Sequence, residues 1–375
     1  MNHFNPLQWT IELNNYHSTE FLYDGLARAS FIHEYIHYIQ FLISSLGRIF
    51  FSELVRNIIL AGVHKHYNGV VPEQIKQIDL LKELEHATPG DFVNTDVQMN
   101  FSKNYYELRA CLDDKFQKIQ PTSARFISLP LHVDNHPEST IQEFLHLVIN
   151  HDNKTYALPI TDRVIFENMA RQIQRNYLFF TTGDTADIDN LQGLIEEQTY
   201  LCLWRLLDNH SRGRYDSRQW IIVLCQISLL CERPCEAFRI IYEKIIEYDI
   251  IGLDDLIKLL KRDADIAQMY DQPSMQEIVN ELISKLGTIM RIPENGELHE
   301  IVKYAVEAHN IIAKNHKYFA DPLLTWNQIL SWLRSFGRPP VKFKDRVLLD
   351  IEGIKTSKPF YVYLELGSKL LLGTL

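Results

Sequence analysis

Basic residues are in the minority: 38 Lys and Arg stand against 48 Asp and Glu, a formal charge of -10. Nucleic acid and anionic membrane surfaces attract basic stripes, so neither is expected as a partner. Long apolar runs are also missing. The best candidate, Phe41 to Phe51, is interrupted by Ser44, Ser45 and Arg48, well short of the ~20 apolar residues a spanning helix needs. Met1 to Trp9 carry neither a basic n-region nor an apolar h-region, so no secretory signal is expected. Cysteine is scarce. The five (Cys111, Cys202, Cys225, Cys231, Cys235) are odd in number and scattered through apolar stretches, which points to reduced thiols and a cytoplasmic location. Cys231-x₃-Cys235 lacks the tight turn of a thiolate metal site. There is no Gly-rich phosphate loop, nucleophile elbow or nucleic-acid motif.

What remains is an ordinary globular composition, 46% apolar and 11% aromatic over 375 residues, enough for two or three domains. Residues 7–13 alternate as a short strand, followed by a turn in which Ser18 or Thr19 can cap a long helix. Helical spacing is expected at 50–66, 73–87 and 102–119, extended chain at 126–133, and a helix near 139–150. Thr155 to Pro159 reads as extended, 160–174 and 190–207 as helices, and 182–189 as a polar loop. From Arg218 the pattern is helical at 218–231, 234–247, 252–262, 274–290, 296–314 and 323–335. Two strands are expected in the tail, at 341–350 and 360–365. The fold class is therefore mainly α with a small β component. The polar stretch 208–217 suggests a boundary between a domain at 1–210 and a helix-rich C-terminal module at 211–375.

The most informative residues are His33-Glu34-Tyr35-Ile36-His37. Histidines four apart on a helix share a face, so both imidazoles reach one ion. A glutamate after the first stands where it can take a proton from a water on that ion. Leu26, Phe31, Ile32, Ile36, Ile39 and Leu42 supply the apolar repeat of a buried helix. Ala29, Ser30, Gln40 and Ser44, small or polar, suit the border of a cavity. The bland alternative is a pair of core histidines satisfied by backbone carbonyls, with Glu34 solvated.

A third ligand must come from elsewhere, because Gln40 and Ile43 occupy the positions where H-E-x-x-H-x-x-G-x-x-H needs Gly and His. Glu167, in Phe166-Glu-Asn-Met-Ala170, leads the field: a carboxylate on an apolar face needs a partner, and Ala170 permits close approach. Glu196 and Glu197 are rivals, and Asp162 is a lesser one. Oxyanion donors among Tyr105, Tyr106, Tyr177, Tyr200, His210 and Arg214 cannot be ranked by spacing. His64 and His66 read as surface residues, and His132 and His136 flank a turn and reach a metal only if the fold brings them in.

His33-Glu34-x-x-His37 followed by Glu167-x-x-Ala170 resembles the zincin metallopeptidases, specifically the gluzincin group. The resemblance covers the two helices and not the C-terminal half. It implies a Zn2+ ion held by His33, His37 and Glu167, with Glu34 as general base. The expected activity is that of a zinc endopeptidase acting on an intracellular protein or peptide substrate. Narrow specificity or a regulatory protein partner is expected of such an enzyme, and a bacterial toxin or phage-defence role fits by analogy. The alternative is a non-enzymatic helical interaction module with a structural metal or none.

Overall fold

The computed structural model describes residues 2–5, 10–44, 47, 124–131, 142–151, 154–160, 162–190, 194–231, 234–262, 297–315, 317–337 and 339–345. As expected, the described chain is mainly helical with a small β component. None of its helices is long and apolar enough to cross a membrane. The expected helices at 50–66, 73–87, 102–119 and 274–290, and the strand at 360–365, lie outside the described residues. The chain divides into two compact units, each drawn from separate stretches: residues 1–100, 273–310 and 326–375, and residues 101–272 with 311–325.

In the first unit, β1 (His3–Asn5), β2 (Thr10–Leu13) and β6 (Val341–Phe343) form a sheet in the order β1-β2-β6. β1 runs antiparallel to β2, pairing Phe4 with Ile11, and β6 runs parallel to it, pairing Ile11 with Val341. Ile11 and Leu13 are fully buried, as alternate residues on one sheet face should be. The motif helix, Gly25–Ile43, packs on β1 and β2. Phe4 meets Tyr38 and Phe41 at ring-centroid distances of 5.9 and 5.4 Å.

Asp24, not Ser18 or Thr19, caps this helix: its carboxylate accepts the Leu26 N–H at 2.8 Å. Ser18 instead donates its backbone N–H and its hydroxyl to Asp345. Gly25, the one potential breaker inside the expected helix, is its first residue. Phe31 through Ile43 are all buried, so His33, Glu34, His37 and Gln40 are polar groups set in a core helix. Phe21 stands at the hub of an aromatic cluster with Phe31, Phe343 and Trp326, at 5.4, 5.7 and 5.8 Å. The helix Trp326–Phe336 ends on the motif helix. Tyr38 donates its hydroxyl to the Phe336 carbonyl at 2.9 Å, and Tyr35 donates to the Gly337 carbonyl at 3.0 Å.

In the second unit, β3 (Ala124–Leu131), β4 (Gln142–His151) and β5 (Lys154–Pro159) form an antiparallel meander. The helix expected near 139–150 is therefore strand β4. Its core, Phe144-Leu-His-Leu-Val-Ile149, is a short apolar run that fits either element. Pairing on both sides, with Leu147 opposite Phe126 and Leu158, decides for the strand. The helix Asp162–Thr182 packs against Leu194–Ser211, Ser217–Leu229 and Pro234–Glu247. Leu253–Arg262 follows. Ser217–Leu229 is the innermost, with every residue from Trp220 onward buried. Its N-cap Asp216 accepts from the N–H groups of Arg218 and Gln219. The stretch expected as a polar loop contains a short helix, Ala186–Asp189, held where Arg175 grips Asp189 through both carboxylate oxygens.

Candidate metal centre

One turn of helix separates His33 from His37, and the two rings meet edge to face with centroids 4.7 Å apart. Their Nε2 atoms are 3.1 Å from each other. Two imidazoles bound tetrahedrally to one ion at 2.0–2.1 Å hold their nitrogens about 3.3 Å apart. The motif helix alone therefore sets this pair near ligand spacing. Both rings are almost fully shielded, at 8% and 9% exposure, and Glu34 beside them is 6% exposed. The other ring nitrogen of His37, Nδ1, lies 2.8 Å from Oε1 of Gln40, a fully buried residue.

Glu167 sits on the Asp162–Thr182 helix among Val164, Phe166 and Ala170, and is 8% exposed. Arg163, four residues earlier on the same helix, approaches its carboxylate at 3.5 Å. One ligand atom each from His33, His37 and Glu167 lie within 4.8 Å of one another. Among the described residues this is the one group of three or more His, Cys, Asp or Glu side chains that can share an ion. Two imidazoles and a carboxylate are a donor set for a divalent first-row metal, with a coordination position left over. The group can hold a metal ion.

The other candidates fall elsewhere. Glu196 and Glu197 lie on the helix Leu194–Ser211, but their side chains are outside the described residues. Asp162 accepts a hydrogen bond from the Cys235 thiol at 3.1 Å, and burial pushes its carboxyl above the usual carboxylate range. Cys231 donates to the Ile227 carbonyl, so the thiols of the C-x₃-C pair are engaged separately. Burial pushes the Cys202 and Cys231 thiols up to about 12, far from thiolate chemistry. Tyr177 is buried in its own helix packing, the Arg171 guanidinium covers the Tyr200 ring at 5.4 Å, and Arg214 pairs with Asp249 at 2.7 Å. Burial holds the His210 ring below the usual imidazole pKa. Cys111, Tyr105, Tyr106, His64, His66, His132 and His136 are outside the described residues.

No known protein family, curated protein or solved structure matches the chain, so the chemistry rests on this geometry. Two neighbours of the ligands escape a motif-based reading: Gln40, three residues beyond His37, and Arg163, four before Glu167. The i+3 and i+4 spacings were the available signals.

Proposed function

We propose that the chain is a zinc-dependent endopeptidase. The observation that carries this reading is the His33–His37 pair, at ligand spacing and joined by Glu167 in one buried group. His33, His37 and Glu167 would hold the ion. Zinc bound there would supply Lewis acidity and a hydroxide source at neutral pH.

The remaining chemistry belongs to Glu34. Glu34 follows His33 on the motif helix and is 6% exposed. A carboxylate directly after the first histidine stands where it can take a proton from a water on the ion. Glu34 takes the proton of the attacking water and returns it to the leaving amine. The substrate is a protein or peptide, and control comes from narrow specificity or a regulatory partner. A second reading has one observation in its favour: Arg163 already gives Glu167 an ionic partner. In that reading the chain is a helical interaction module without a catalytic metal.

Metal analysis by plasma mass spectrometry decides between them. Wild type and Glu34→Gln should each carry about one zinc per chain, with His33→Ala and Glu167→Gln depleted. Glu34→Gln should also lose the cleavage of unfolded protein substrates that wild type performs. Zinc absent from every sample, even after supplementation, would leave the interaction module standing.

A further inference from the structure

We propose that Gln40 is a positioning residue: its side-chain carbonyl fixes His37 as the Nδ1–H tautomer and thereby directs the Nε2 lone pair at the metal position. Only the metal itself rests on the function proposed above. The hold on the ring rests on geometry inside one helix.

A neutral imidazole has one N–H and one lone pair, and a hydrogen bond at either nitrogen determines which is which. Gln40 lies one turn beyond His37, fully buried, with Oε1 2.8 Å from Nδ1. An amide carbonyl only accepts, so Nδ1 must carry the proton. Nε2 then carries the lone pair and lies 3.1 Å from His33 Nε2, near the spacing of two nitrogens that share one ion. The opposite arrangement is equally well defined. With the amide turned about, its NH₂ would donate to Nδ1, and Nε2–H would donate to His33. His37 would then have no lone pair at Nε2 to offer an ion. Gln40 selects between the two.

Metal-ligating histidines commonly receive this support from a carboxylate, a backbone carbonyl or a water. Here it comes from the same helix, and it is neutral. His37 is thus oriented as soon as the motif helix forms, and it stays a less basic ligand than a carboxylate partner would make it.

Long-range nitrogen–proton correlation spectra of the metal-free full-length chain, recorded where imidazole is neutral, read the tautomer directly. His37→Gln assigns the signal. The expected result is Nδ1–H in wild type and in Gln40→Glu. In Gln40→Met, near in volume but without the carbonyl, the tautomers should mix and zinc affinity should fall about 10–100-fold. An Nε2–H tautomer in wild type would overturn the proposal. So would Gln40→Met with wild-type tautomer and zinc affinity. Should Gln40→Met fail to fold, the wild-type spectrum and the zinc affinity of Gln40→Glu, expected to be at least that of wild type, still decide. Wild type that takes up no zinc would defeat the peptidase reading, while the spectrum would still report whether Gln40 holds the ring.

Discussion

Replacing Gly337 by alanine should loosen the joint that seats the motif helix, and its cost can be worked out from the structure. Gly337 follows the helix Trp326–Phe336 with φ of 86°, a left-handed conformation that costs an L-residue about 1–2 kcal/mol. A Cβ there would also stand 2.7 and 2.8 Å from the Tyr304 ring and 2.9 Å from the Tyr38 hydroxyl. Overpacking of that kind costs about 1–3 kcal/mol, so Gly337→Ala should destabilise by about 2–5 kcal/mol in total. Tyr38→Phe alone removes the donor to the Phe336 carbonyl, worth about 1–3 kcal/mol at a buried acceptor. Because the Tyr38 hydroxyl is one of the atoms a new Cβ would strike, the two losses should not add. The double variant should be less damaged than the sum by at least about 0.5 kcal/mol. Urea denaturation followed by circular dichroism and tryptophan fluorescence would measure all four proteins. A Gly337→Ala variant within about 0.5 kcal/mol of wild type, or strict additivity, would refute this account of the joint.

Two further outcomes are expected. Arg163→Ala should destabilise the metal-free protein by about 1 kcal/mol, because Glu167 loses its ionic partner. Added zinc should recover that loss in a thermal melt, and a deficit unchanged by zinc would argue against Glu167 as a ligand. Burial raises the pKa of both Tyr215 and Tyr242, and Tyr242 adds to the rise at Tyr215. Below pH ~10 both phenols are neutral in the folded and the unfolded chain and stability is indifferent to them. Above it the unfolded chain releases protons that the folded chain retains, so stability falls as pH rises, by up to about 1.4 kcal/mol per pH unit for each tyrosine. Tyr242→Phe should flatten that alkaline slope; an unaltered slope would refute the assignment.

Helices whose apolar positions repeat over several turns were legible in the sequence. Ser217–Leu229, Pro234–Glu247 and Glu297–Lys314 fall within a residue or two of their expected ranges. Elements fixed by distant partners were not. β4 became a strand through β3 and β5, which its own residues cannot announce. The start of the motif helix was missed for a similar reason. Ser18, Thr19 and Asp24 are all competent caps, and the engagement of Ser18 by Asp345, far along the chain, removes it from contention. The His33 and His37 pairing was readable because a single helix creates it. The grouping with Glu167 was guessed from an apolar neighbourhood, whereas Gln40 went unassigned because glutamine so often means only a polar face.

The pairing of β2 with β6, and of Tyr35 and Tyr38 with the end of the helix Trp326–Phe336, has a consequence during synthesis. The ribosome delivers the histidines early and their seat late. At about 5–20 residues per second, the roughly 300 residues between Tyr38 and Phe336 take on the order of 15–60 s to emerge. Throughout that interval the motif helix lacks its parallel strand and both hydroxyl acceptors. The histidine pair is therefore without its full packing while the chain is still attached to the machinery that makes it. Contacts of such long range also slow folding after release, which extends the delay beyond the last peptide bond.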